Sequence, residues 1–153
     1  ADLAARLLAP GLRRCYTFVG AGPSLGVAYT GMALLAEGPQ ELALAIAVEE
    51  FHHGLHIATV ARDDVVVLIA PSGAASKRFL DTARSVSAWG AQLVALVDAQ
   101  DTEVRALAGD SYELPPAPEP MTPLLTLLPL HMLSIHLAAR KVAGGYVRPV
   151  KVP

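Results

Sequence analysis

The sequence is poor in cysteine and in charged side chains, and each shortage excludes a class of protein. Its single cysteine, Cys15, excludes an internal disulfide and a cysteine-rich zinc site, and it suits a reducing cytoplasm. A net charge of −2 without a basic stripe argues against nucleic acid as a partner. No basic-then-apolar leader opens the sequence, so secretion is not predicted. The first residue is Ala1 rather than methionine, which fits processing or removal from a longer chain.

Apolar residues are abundant instead. They make up 53% of the 153 residues, against 17% charged, which argues against disorder and predicts one domain, residues 1–153, with one core. The longest apolar stretch, residues 124–139, contains Pro129 and two histidines and is short for a membrane span. We therefore predict a buried helix there and no membrane partner.

Strand-like and helix-like runs alternate along the chain. Residues 65–70 are unbroken and rich in β-branched side chains, like strands buried on both faces of a parallel sheet. Residues 42–48 are also apolar and fit either a helix or a strand. Further strands are predicted at residues 16–20, 92–97 and 111–114, and helices at 1–12, 24–37, 75–89, 101–107 and from the proline-rich loop 115–123 to Gly144. The alternation predicts an α/β fold with a parallel sheet, helices on both faces and a site at the carboxyl ends of the strands.

Four segments carry a resemblance to a known family. They are the turn Phe18-Val-Gly-Ala-Gly22 with a helix ending at Glu37, then Glu50-Phe-His-His-Gly54, then residues 66–71 with Gly90-Ala-Gln-Leu-Val94, and last Pro129-Leu-His-Met-Leu-Ser-Ile-His-Leu-Ala138. In this order they resemble the sugar isomerase (SIS) domain family, in particular the second SIS domain of glucosamine-6-phosphate synthase and related phosphosugar isomerases and deglycases. The resemblance implies a three-layer, flavodoxin-like domain with a five-stranded parallel sheet, and it makes residues 42–48 a strand.

The resemblance also implies a partner and a ligand. Family members usually carry two SIS domains in tandem and bind aldose or ketose phosphates, so this chain is expected to be the C-terminal half of such a pair or to form a homodimer. The phosphate-binding loop normally belongs mainly to the first domain. No cofactor is implied, and Gly20 and Gly22 lack the third glycine of the dinucleotide fingerprint.

Two residues match the catalytic positions of the family. Glu37 falls at the glutamate that moves a proton between C1 and C2 of an open-chain sugar, and its neighbours Leu34, Leu35 and Ala36 predict an apolar setting. His53 falls at the histidine that opens the sugar ring, and in relatives this histidine reaches a neighbouring subunit's site. Without the resemblance, Glu37 reads as a solvated helix end and His53 as a structural histidine in a loop.

The cluster of acidic residues and histidines near His53 also suggests a metal site, which we do not predict. It contains Glu49, Glu50, His52, His53 and His56. His52 and His56 are spaced to share a helix face, but the His-Glu-x-x-His pattern is missing and Gly54 interrupts the segment. Glu50 is instead expected to cap or orient the turn that presents His53.

Two further sets of residues, in addition to Glu50, are predicted to contact substrate. Ser72 and Gly73 follow a strand and precede a helix, so their N–H groups are candidates for holding a phosphate, with Ser76 and Lys77 as added donors. Gly20 and Gly22 would let backbone approach a sugar or another domain.

The basic tail and two substitutions bear on the reaction. In the aminotransferring relatives a tail lysine contacts the sugar near C2, and here either Arg148 or Lys151 could take that position, although only lysine can form a Schiff base. A solvated basic end is the alternative. Thr30 and Leu34 stand where glucosamine-6-phosphate synthase has a glutamate and a lysine. We therefore expect an isomerase or deglycase rather than the synthase reaction, with a non-catalytic phosphosugar sensor as the alternative.

Overall fold

The computed structural model describes residues 15–54 and 56–145. The strands are β1 (Tyr16–Gly20), β2 (Ala43–Ala47), β3 (Val65–Ala70), β4 (Gln92–Asp98) and β5 (Asp110–Leu114). The helices are α1 (Pro23–Glu37), α2 (Val48–His53), α3 (His56–Thr59), α4 (Ser76–Trp89), α5 (Thr102–Leu107) and α6 (Thr122–Ala143), the last preceded by a 3-10 turn at Glu119–Met121.

The strands form one parallel sheet in the order β2-β1-β3-β4-β5. The strand order reverses between β1 and β3, because the chain leaves β1 toward β2 on one side and returns to β3 on the other. The predicted five-stranded, flavodoxin-like parallel sheet is confirmed. The ambiguous apolar run divides, since residues 43–47 form β2 and Val48 begins α2.

Strands β1 to β4 send alternate side chains into two cores, because successive residues of a strand point to opposite faces. On one face Val65, Val67 and Ile69 pack with residues of α1 and α6. On the other face Val66 and Leu68 pack with residues of α2, α4 and α5. Full burial of β3 on both faces explains its unbroken run of apolar, largely β-branched residues.

Helix α6 is buried along one face only. Leu130, Leu133 and Leu137 pack in the core against α1, whereas Leu124 and Ile135 are 68% and 58% exposed. Together with the preceding turn this helix is long and apolar enough to cross a membrane by length and composition alone, with 33% of the apolar window buried. The prediction of a buried helix therefore holds for one face, since no described element covers the other.

The structure confirms most predicted elements and adds two. Gly90 ends α4 with φ 76°, the left-handed conformation that glycine adopts without strain. The short helices α2 and α3 were not predicted, although the acidic first turn of α2 and its histidines in the last turn suit a helix dipole. The predicted helix at residues 1–12 lies outside the described residues.

Candidate functional site

Glu37 lies at the amino edge of the sheet. It is the last residue of α1, where the Gly38 N–H donates to Leu34 O at 3.0 Å and the Glu41 N–H donates to Leu35 O at 3.0 Å. These bonds fold the chain directly into the start of β2. The Glu37 side chain is exposed, so the expected apolar setting is wrong for this domain by itself. Of its leucine neighbours, Leu34 packs partly buried against the core and Leu35 is fully buried beneath the helix.

His53 lies at the opposite, carboxyl edge of the sheet. It ends α2, which begins directly after β2, and its side chain is 76% exposed. Glu50 closes this helix through its backbone, since its carbonyl oxygen accepts from the Gly54 N–H at 2.7 Å. The carboxylate that faces His53 is that of Glu49, whose Oε2 lies 3.4 Å from His53 Nε2.

The structure therefore does not bring Glu37 and His53 together within one chain. The five residues of β2 separate the two edges by about 16 Å, and His53 follows this strand in α2. Any site that uses both groups has to take them from two copies of the domain. The assignment of Glu37 and His53 as catalytic residues stays a prediction.

Beside His53, a cavity of about 590 Å³ opens at the carboxyl ends of β1, β2 and β3. Its charged lining comes from Glu49, Lys77, Arg78 and Asp81. Arg78 Nε donates to Glu49 Oε1 at 2.8 Å, and this bond holds the pKa of Glu49 below its usual value. The same bond raises the pKa of Arg78, so the pair stays charged and fixes Glu49 next to His53.

His52 points the other way, into the domain. Its Nε2 lies 2.7 Å from Thr82 Oγ1, which itself donates to Arg78 O at 2.8 Å, so the histidine nitrogen is the donor to the hydroxyl. Burial, followed by the charge of Arg78, lowers the pKa of His52. The segment then breaks at Gly54, and His56 starts a new, exposed helix. Across residues 15–54 and 56–145, no three His, Cys, Asp or Glu side chains are grouped to hold a metal.

The predicted phosphate loop after β3 already has acceptors for its N–H groups. Ser72 N–H donates to Asp98 Oδ2 at 3.0 Å, and Gly73 N–H donates to Ser76 Oγ at 3.0 Å. The hydroxyl of Ser76 returns a bond to Gly73 O at 2.9 Å. The contact of Ser72 and Gly73 with substrate stays a prediction, and any ligand there has to compete with these internal bonds.

Gly20, which ends β1, and Gly22 allow a close turn. Gly22 has φ 50°, and a Cβ on Gly20 would overlap the backbone carbonyl of Ser24 in the first turn of α1. The geometry explains both glycines as requirements of the strand-to-helix connection. Their role in contacting a sugar or another domain is a separate prediction that stays open.

At the amino edge, near Glu37, the end of α6 is fastened to the start of β2. Lys141 Nζ lies 2.9 Å from Glu41 Oε1, and both side chains are 6% exposed. The two groups are not aligned as a hydrogen bond, so the attraction is between charges, and Lys141 Nζ donates to Gln40 O at 3.4 Å. Earlier in α6, on the same buried face, Ser134 Oγ donates to Leu34 O at 2.7 Å. The chain that follows Gly145 therefore starts at the same edge as Glu37.

Two predicted site residues lie outside the described part of the chain, and two residues near the site were not predicted. Arg148 and Lys151 lie outside the described residues, so their roles stay predictions. Sequence reasoning missed the buried partner Lys141, although it continues the buried helical spacing of Leu130, Ser134 and Leu137. It also missed Arg78, whose pairing with Glu49 spans two elements and leaves no local signal.

Comparisons with known proteins agree with this architecture. The family model of the SIS domain matches residues 14–141. A glutamine–fructose-6-phosphate aminotransferase (isomerizing) of Bacteroides thetaiotaomicron is 31% identical over 126 residues, which is 82% of this chain and 20% of the relative. The chain thus spans about a fifth of the length of the curated relatives it matches.

Solved structures share the fold. The C-terminal domain of glucosamine-fructose-6-phosphate aminotransferase from Francisella tularensis superposes with a TM-score of 0.78 at 24% identity, over 92% of this chain and 39% of that one. The sugar isomerase domain of an RpiR transcription factor from Sphaerobacter thermophilus gives 0.72 at 12% identity, over 93% and 78%. The sheet order and the match over most of its length show that this chain belongs to the SIS domain family.

Proposed function

We propose that this domain contributes to a phosphosugar isomerase or deglycase, with Glu37 as the proton-transfer base and His53 as the ring-opening group. One observation carries the proposal: exposed Glu37 lies at the edge where α6 ends and the basic tail begins. A base that serves both C1 and C2 needs access to open-chain sugar and a nearby cation. Arg148 or Lys151 would supply that positive charge from the tail.

The chemistry follows from the two groups. His53 gives a proton to the ring oxygen and takes one from the anomeric hydroxyl, which opens the ring. Glu37 then removes the proton from C2 of the aldose while the carbonyl oxygen on C1 gains a proton, which gives an enediol. The C2 hydroxyl next loses its proton as Glu37 returns a proton to C1, and the product is the ketose. No net oxidation occurs, because the hydrogen lost at C2 is regained at C1.

The partner in this proposal is a second SIS domain, either another copy of this chain or a tandem neighbour. Two features support it. Glu37 and His53 lie at opposite edges of the sheet, so a site that uses both groups takes one of them from a second copy of the domain. The exposed face of α6 also presents an apolar stripe between these edges, which includes Leu124, Leu128, Ile135 and Val142. A second domain packed there would bury the stripe and make the surroundings of Glu37 less polar.

Hydrogen exchange at C1 of fructose 6-phosphate, or at C2 of its aldose, in deuterated water tests the proposal, because this sugar phosphate appears in the name of the curated relatives. We expect the wild type to exchange the proton and Glu37→Gln to lose exchange by at least about a hundredfold while still binding the sugar. Exchange by Glu37→Gln at the wild-type rate would refute the assignment of the base.

A sensor without turnover is the second candidate, and the face of α1 favours it. Thr30 donates to Gly26 O at 3.0 Å and Leu34 packs toward the core, so neither position offers a charge to a sugar. The sugar isomerase domain of a transcription factor has the same fold, and this likeness supports the sensor as an alternative. Saturable binding of fructose 6-phosphate with no exchange at C1 would select the sensor over the enzyme.

A further inference from the structure

The carboxylate of Glu119 lies in the crevice between β1 and β3, where the strand order reverses. Its Oε2 accepts from the Ala74 N–H at 3.4 Å, and a Cβ on Gly73 would overlap the same carboxylate. Its Oε1 lies 3.7 Å from the position that a Cβ would take on Gly22. Glu119 thus touches both glycine turns, the one after β1 and the one after β3.

This crevice is where an open parallel sheet binds ligands, and phosphates bind there through N–H groups at the start of a helix. Here the three consecutive N–H groups before α4 all have protein acceptors. Two of these acceptors are carboxylates, from Asp98 and Glu119. The loop thus holds negative charge from its own chain at the position of an anionic ligand.

We propose that Glu119 sets the charge selectivity of this crevice by excluding phosphate. The carboxylate fills the space against Gly73 that a phosphate oxygen would need, and it repels a dianion that approaches the N–H groups of this loop. Glu119 reaches the crevice from the 3-10 turn before α6, an element held to the sheet by the rest of that helix. The inference rests on the crevice geometry and does not depend on the catalytic roles of Glu37 and His53.

The exclusion of phosphate by Glu119 was not predicted from the sequence. The residue sits in the proline-rich segment that looked like a plain connection, and its contacts are with loops far away in the chain. If Glu119 excludes phosphate, the phosphate of a sugar has to be held by another domain. Uncharged groups of a ligand remain free to use the crevice.

Titration of the ¹⁵N-labelled chain with inorganic phosphate at constant ionic strength tests the proposal, with the amides of Ser72, Gly73 and Ala74 as reporters. Glu119→Ala opens the space and removes the charge, whereas Glu119→Gln removes the charge alone. Glu103→Ala is the control, since it deletes the same charge from a side chain that is 68% exposed on α5. Thermal unfolding of each variant shows that it is folded.

We expect no saturable shift of these amides in the wild type or in Glu103→Ala. Glu119→Ala should bind phosphate saturably at the loop, with an affinity at least tenfold above the upper limit set by the wild-type titration. Glu119→Gln should show a smaller gain in affinity. Saturable phosphate binding at these amides in the wild type would overturn the proposal. So would folded Glu119→Ala and Glu119→Gln proteins that respond no more than the wild type.

Discussion

Glu41 and Lys141 form a buried ion pair, with Oε1 and Nζ 2.9 Å apart and each side chain 6% exposed. The pair joins the start of β2 to the last turn of α6, although the two residues are far apart in the sequence. Lys141 also donates to Gln40 O at 3.4 Å. These contacts hold the end of α6 at the edge of the sheet that carries Glu37.

Removal of one partner of this pair should destabilise the domain strongly. Lys141→Ala leaves the Glu41 carboxylate buried without its counter-charge, and we expect a loss of about 3–5 kcal/mol in the free energy of unfolding. The double variant Glu41→Leu with Lys141→Met replaces both charges by apolar groups and should stay within about 1 kcal/mol of the wild type. Urea denaturation measures both, and a near-neutral Lys141→Ala variant would show that the pair is not buried as described.

The close turn after β1 predicts opposite effects of alanine at two glycines. Gly20→Ala should cost about 1–3 kcal/mol, because the new Cβ overlaps the Ser24 carbonyl and the first turn of α1 has to move. Gly26→Ala is the matched control, since nothing lies within 4 Å of its Cβ position on the same helix. It should stabilise the domain by about 1 kcal/mol. Thermal unfolding distinguishes the two, and a stable Gly20→Ala variant would contradict the close approach.

His52 predicts a dependence of stability on pH. Its folded-state pKa is lowered, mainly by burial, so the unfolded chain binds a proton more readily than the folded one. The contribution of neutral His52 is complete above the unfolded pKa of about 6.5 and is lost as the pH falls through it toward the lower folded value. The free energy of unfolding should therefore decrease from about pH 7.5 to about pH 5.5, and less so in His52→Asn.

Urea denaturation at both pH values measures this difference. His131→Asn serves as the control, because it makes the same substitution at a histidine that is exposed on α6. Equal slopes for the wild type and His52→Asn would mean that protonation of His52 is not linked to folding.

Local patterns predicted the sheet and its helices well. The unbroken β-branched run became β3, and Gly90 ended its helix in the expected left-handed conformation. The run at residues 42–48 remained ambiguous from its periodicity, because a short apolar segment fits a buried strand or a buried helix equally. The structure placed most of it in β2 and the last residue in α2.

The candidate site was less accessible to sequence reasoning, for a physical reason. Two contacts join segments that are distant in the sequence, and no local spacing of residues predicts them. They are Glu119 with Gly73 and Glu41 with Lys141. Conversely, the leucines beside Glu37 suggested an apolar setting, but a helix end can bury Leu35 and leave the next carboxylate exposed. The family resemblance supplied the candidate residues, and only the fold shows that they lie at opposite edges of one domain.

The central claim is that Glu37 of one copy and His53 of another act on the same sugar, and complementation tests it most directly. Glu37→Gln and His53→Gln variants are measured alone and after unfolding and refolding together in equal amounts, with hydrogen exchange at C1 of fructose 6-phosphate as the readout. In a dimer with two shared sites, half of the mixed dimers are hybrids and each hybrid has one intact site, so the mixture should regain about a quarter of wild-type activity. A mixture as inactive as its parents, beside an active wild type, would contradict the shared site.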